Sequence, residues 1–192
     1  RILGSTNSIT FATDGSRGHD VYGNDIQDVY DNAFEPDTAE GNVKIYRNRI
    51  TNSFMPLSFQ PIRGGPIYAF RNEAFNVANA QFKLNAQGGA GYSEPSGVLA
   101  FHNTFVTGSY YAWGQESPAL VHNSRLRNNL FYAHPTAGSL FFSPPVHPGM
   151  IDYNAYFPDS TYTWMEAGVG YRNFNGLANV KAANSIIEAH GV

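Results

Sequence analysis

Apolar and polar residues alternate along most of this chain in runs of about five, a period of two that reads as short strands, and asparagine or glycine closes each run. In "VKIYRNRI", residues 43–50, Asn48 interrupts one such run. Asparagine is a poor strand residue and a good turn residue, so it marks a corner between two strands. The corner recurs. An apolar residue three before an asparagine and another two after it occurs at Val21-Asn24-Ile26, Ile45-Asn48-Ile50, Ala69-Asn72-Ala74, Ala100-Asn103-Phe105, Leu126-Asn129-Phe131 and Ile151-Asn154-Tyr156, with steps of 24, 24, 31, 26 and 25 residues.

A beat near 25 residues predicts stacked coils, each of three short strands divided by turns. Like strands of successive coils then lie parallel, about 4.8 Å apart. An asparagine at the same corner of every coil can bond the backbone or the asparagine above it, which satisfies polar groups that a buried turn would strand. Arg47, Arg71 and His102 each precede a corner asparagine and are expected to form a solvated row outside the ladder. A β-sandwich would instead show clean alternation and hairpin turns such as Asn-Gly, and neither recurs on this beat.

The beat covers residues 18–157, so residues 1–157 are read as coils and 158–192 as an appendage of the same domain. There "STYTWMEAGVGYRNFNG" reads as an irregular lid and "LANVKAANSIIEAH" as a short helix, with Leu177, Val180, Ala183, Ile186 and Ile187 on the side that packs across the last coils. No amphipathic helix caps the first coil, so the sequence is expected to begin within a solenoid and to be part of a longer chain.

Composition narrows the function classes. A net charge of −3 and a pI near 6, with no local run of basic residues, argue against a nucleic-acid partner. No apolar run is long enough to span a bilayer, and zero cysteines exclude disulfides and thiolate metal sites. The six histidines lack a ligand spacing such as HxxxH.

The repeat resembles the right-handed parallel β-helix proteins, which include pectate lyases, other polysaccharide lyases and hydrolases, and phage tailspikes. The segments "GGPIYAFRNEAFN", "FKLN", "GVLAFHNTFV" and "LRNNLFYAH" are similar to a group of bacterial β-helix proteins without an assigned activity. The resemblance implies an all-β, right-handed parallel β-helix of about six coils, in an extracellular, periplasmic or cell-surface setting.

Alternation along the strand that follows each corner by about ten residues places Phe34, Leu57, Phe59, Phe82 and Leu84 inward. It leaves Glu35 and Asp37, Ser58 and Gln60, Lys83 and Asn85, and then Trp113 as an outward strip. Arg63 and the long "NAQGGAGYSEPSG" turn lie in the loops beside it. Carboxylates and amides bond hydroxyls, a cation neutralises an acidic sugar and an aromatic face stacks on a ring, so the strip suits a polysaccharide. The resemblance implies that Asp31, Glu35 and Asp37 could supply oxygen ligands to Ca²⁺, and that Lys83 or Arg63 acts as base. Ser58, Gln60, Asn85 and Trp113 would bind substrate. Glu35 and Asp37, about 6.6 Å apart along one strand face, also fit a hydrolase. A non-catalytic β-helix that binds glycans or partners is the alternative, and so is a merely solvated strip.

Overall fold

The computed structural model describes residues 2–10, 15–86, 94–115, 120–183 and 185–192. It is a parallel β-solenoid of about six turns, with one short helix among the described residues. The central part of the long 85–97 turn, residues 87–93, and residue 184 of the expected helix lie outside the described residues.

Three sheets make the walls. One runs through Asp20–Tyr22, Val43–Tyr46, Ile67–Phe70, Val98–Phe101, Arg125–Arg127 and Ile151–Asp152, all parallel. Around the asparagine corner, the second runs through Asp25–Glu35, Arg49–Ser58, Glu73–Val77, Thr104–Thr107, Leu130–Tyr132 and Ala155–Phe157, with Phe82–Lys83 added on Arg49–Ser58. The third contains Tyr111–Gln115, Gly138–Val146 and Thr161–Glu166 in parallel and Gly170–Asn175 antiparallel. Register follows the beat, pairing Ile26 with Ile50, Ile50 with Ala74, Ala74 with Phe105, Phe105 with Phe131 and Phe131 with Tyr156. These inward rows fill the core, where Phe105, Phe131 and Tyr156 stack at 5.4 Å between centroids.

In the early coils the expected second and third strands are one. Asp25–Glu35 and Arg49–Ser58 run on through a bulge, because Asp28, Asn52 and Asn76 take left-handed backbone angles that short polar side chains tolerate. Their side chains stack as well: the Asn52 amide donates to Asp28 Oδ1 at 2.7 Å and the Asn76 amide to Asn52 Oδ1 at 2.8 Å.

The corner asparagines form a continuous ladder. Backbone N and Nδ2 of Asn24 both donate to Oδ1 of Asn48, which repeats the pattern on Asn72, and so on through Asn103 and Asn129 to Asn154, with amide-to-amide distances of 2.9 to 3.1 Å. From Asn48 onward, Nδ2 also donates to a carbonyl of the preceding coil: Val21, Ile45, Ala69, Ala100 and Leu126 in turn. Every amide hydrogen and both lone pairs of an interior rung are used. The residue before each rung, including Arg47, Arg71, His102, Asn128 and Tyr153, is left-handed, which turns the chain through the corner.

The ladder ends on a residue the repeat does not announce. Glu188 is fully buried and accepts from Asn154 N at 3.1 Å, Asn154 Nδ2 at 2.7 Å and the Tyr156 hydroxyl at 2.7 Å, replacing a seventh asparagine with a carboxyl. Burial pushes that carboxyl up to about 7, against these hydrogen bonds. The helix therefore covers only Leu177–Ala182, and residues 185–192 turn back over the last coil. In place of an irregular lid, Thr161–Glu166 and Gly170–Asn175 continue the third sheet, with Tyr162 and Trp164 facing the core.

Another corner is built from glycine. A Cβ on Gly65, at φ +67°, would lie 2.6 Å from the carbonyl oxygen of Gly97, and one on Gly97 would lie 2.5 Å from that of Gly64. Gly65→Ala therefore combines a left-handed penalty with a backbone clash, and we expect a loss of about 2 kcal/mol or more in urea unfolding. A loss below about 0.5 kcal/mol would mean that the coils are not this close.

Candidate functional site

The strip lies on the outer side of strands whose inner side holds Phe34, Leu57 and Phe82. Pairing of Phe34 with Leu57 sets Glu35 beside Ser58, and Ser58 pairs with Lys83. Parallel stacking thus puts an acid, a hydroxyl and a cation on consecutive rungs, about 4.8 Å apart.

Asp37 turns back onto this row. Its Oδ1 accepts from Ser58 Oγ at 2.8 Å and from Gln60 N at 2.6 Å, and its Oδ2 accepts from Ser58 Oγ at 3.0 Å. Ser58 is fully buried and Asp37 is 7% exposed, so both form the floor of the strip rather than its rim. Burial is the largest influence and pushes the Asp37 carboxyl up to about 7; the Gln60 N–H and Ser58 hydroxyl act against it, Glu35 adds to it and Lys83 opposes it. Glu35 and Lys83 are thus close enough to act on Asp37 through their charges.

Lys83 and Asn85 line a groove of about 340 Å³ with Met55, Tyr110, Tyr111 and Gln115. The groove wall is fixed by amides. Gln115 Oε1 accepts from Leu84 N at 3.2 Å while its Nε2 donates to Asn85 Oδ1 at 3.2 Å, and Gln81 Oε1 accepts from Gly114 N at 3.0 Å. Tyr111 packs on Phe141 at 5.3 Å, and Phe141 on Tyr171 at 6.4 Å, so beyond Lys83 the strip becomes aromatic.

Several expected residues lie elsewhere. Trp113 was expected on the strip but is fully buried, stacked on Phe131 at 4.7 Å. Alternation breaks within Tyr111–Gln115, where Ala112 and Trp113 are both buried, and this brings the indole in and leaves Tyr111 at the groove. Arg63 sits at the glycine corner in a hollow of about 270 Å³ with Arg17, Glu40 and Gly65, apart from the strip. Arg17 and Glu40 form an ion pair there. Asp31 lines a third depression with Thr6, Tyr30 and Phe54, because the bulge between Val29 and Asn32 breaks the alternation that would join it to Glu35 and Asp37. Among the described residues no three of His, Cys, Asp or Glu are grouped as a metal site would require, and Asp31, Glu35 and Asp37 do not make one. Gln60 remains beside Asp37, and its Nε2 reaches the carbonyl of Ala86 at 3.5 Å.

Phe141, Tyr171, Gln81 and Gln115 were not visible as site residues in the sequence. Only the adjacent pair Phe141 and Phe142 carries a signal, since one of two neighbouring strand residues must face outward.

The Asp37 carboxyl gives a pH signature. Its folded value, about 7, lies above its unfolded one, so the native state holds the proton more tightly. The associated stability is complete below about pH 4 and is lost as the pH rises through about 7. Urea midpoints followed over this window should fall less in Asp37→Asn than in the parent. Parallel curves would mean that Asp37 titrates as it does in the unfolded chain.

Comparison with protein-family models, curated proteins and solved structures finds no match to this chain. Among the described residues no helix is long and apolar enough to cross a membrane.

Proposed function

We propose that this β-solenoid is a carbohydrate-active protein of the extracytoplasmic space that cleaves an extended, uronate-bearing polysaccharide laid along the strip, by elimination. The observation that carries the reading is Lys83 on a groove whose far flank is aromatic, one rung from Ser58, whose hydroxyl holds the Asp37 carboxyl, with Glu35 and Lys83 both acting on that carboxyl through their charges. Lys83 takes the proton beside the sugar carboxylate. The electron pair left behind forms a carbon–carbon double bond and expels the glycosidic oxygen, which takes its proton from Asp37. Burial holds the Asp37 carboxyl protonated to higher pH than an ordinary aspartate, which suits a general acid. Asn85, Gln60 and Gln115 supply amides for hydroxyls, and Tyr111, Phe141 and Tyr171 supply apolar surface for sugar rings.

The test is a screen of uronic-acid polymers for the ultraviolet absorbance of an unsaturated product, with reducing ends counted in parallel. Absorbance that rises with reducing ends supports elimination. Reducing ends without absorbance assign the carboxyls Glu35 and Asp37 to hydrolysis, and cleavage of no polymer leaves a glycan-binding solenoid.

A further inference from the structure

On the corner that carries the asparagine ladder, Arg47, Arg71 and His102 stand on consecutive rungs, and none of them is among the residues that line the groove. Arg47 N donates to the carbonyl of Phe70, Arg71 N to that of Phe101 and His102 N to that of Asn128, so each coil sets its side chain over the next. All three are exposed. In sequence they are 24 and 31 residues apart, and only stacking assembles them.

This row differs from its neighbours in one respect. The row two residues further on reads Asp25, Arg49, Glu73 in register and alternates in sign. In the sheet before the corner, Lys44 pairs with Asp20 at 3.2 Å. Like charges stacked directly opposite one another are destabilising, and solvated solenoid faces avoid them by such alternation. Arg47 over Arg71 does not alternate, and among the described residues neither forms an ion pair within 4.0 Å, although Glu73 lies two residues along the chain from Arg71.

The adjoining row adds to the same polarity. Tyr22, Tyr46, Phe70 and Phe101 form a column of near-parallel rings with centroids 4.8 to 5.2 Å apart. Their faces are occupied by one another, so the column offers its edges to the outside. Ring edges carry the positive side of the aromatic quadrupole. They do not offer a stacking platform; they repel cations and favour anions.

We propose that this corner is a second binding track, for the carboxylates of an acidic polysaccharide lying parallel to the solenoid axis. Charge complementarity selects the partner: two uncompensated guanidiniums one rung apart, flanked by ring edges, on a protein that is negative overall. Regular spacing fits a polymer with one acid per repeat, and guanidinium binds carboxylate as a planar fork. The track holds the polymer and has no part in bond cleavage, so it stands whether or not the groove is catalytic.

Affinity electrophoresis tests this, with polygalacturonate in the gel and its methyl ester as the uncharged control. Arg47→Asn/Arg71→Asn keeps the backbone turn, since Asn128 occupies the same left-handed position one coil on from His102. The parent should be retarded by the acid and not by the ester, and less so as salt rises. The asparagine pair should bind about tenfold more weakly, and Arg47→Lys/Arg71→Lys, which keeps the charge but loses the planar fork, should fall between it and the parent. Cleavage of short uronate oligomers, which engage the groove alone, should be unchanged in the asparagine pair. Equal retardation by acid and ester, no retardation of the parent, or full binding by the asparagine pair would overturn the proposal.

Discussion

Asn72→Leu is expected to destabilise the solenoid by about 3 kcal/mol or more in urea unfolding, because four hydrogen bonds meet on one buried side chain. Nδ2 of Asn72 donates to Asn103 Oδ1 and to the carbonyl of Ile45, both at 2.9 Å, while its Oδ1 accepts from Asn48 N and Nδ2 at 3.2 and 2.9 Å. Leucine leaves the Asn48 donors and the Ile45 carbonyl without partners where water does not reach, since Asn48 and Asn72 are at most 2% exposed. The end rung is the control. Asn24 is half-buried, and Asn24→Leu should cost only about 1 kcal/mol. Equal losses at the two positions would show that the ladder is not a cooperative buried network.

Lys83→Ala should lower turnover on a cleaved uronate polymer by about 10² to 10⁴, the usual contribution of a positioned base. Stability should change by less than about 0.5 kcal/mol, because the side chain stands on the outer side of its strand at the groove. Initial rates of absorbance change and a urea titration of the same variant separate the two effects. Undiminished turnover would move the chemistry away from the strip.

The coils were legible because they repeat. Six asparagines on one beat predict the ladder, and alternation around Phe34, Leu57 and Phe82 predicts the inward rows; the structure has both. Legibility failed where the repeat stops or the backbone bulges. Glu188 closes the ladder once, with no second instance to define a pattern. Trp113 was placed by counting in twos across a segment where the count is broken, and Asp31, joined to Glu35 and Asp37 by the resemblance alone, lies inside a bulge. Arg63 was expected in a loop beside the strip, a placement that carries no directional information, and the structure puts it at the glycine corner. In contrast, Glu35 and Lys83 keep the outward places that alternation gives them, while Ser58, expected outward between them, is buried beneath the strip.

The account rests on Asp37, Glu35 and Lys83 acting as one electrostatic unit, and the Asp37 carboxyl can report on this directly. Its ¹³C resonance followed from about pH 3 to about pH 9 should show a midpoint shifted well above the ordinary aspartate range. In the parent that midpoint should lie at about 7, in Lys83→Ala it should rise because a stabilising cation is gone, and in Glu35→Gln it should fall because a repelling anion is gone. A midpoint near 4, the ordinary aspartate value, that neither substitution moves would contradict the account.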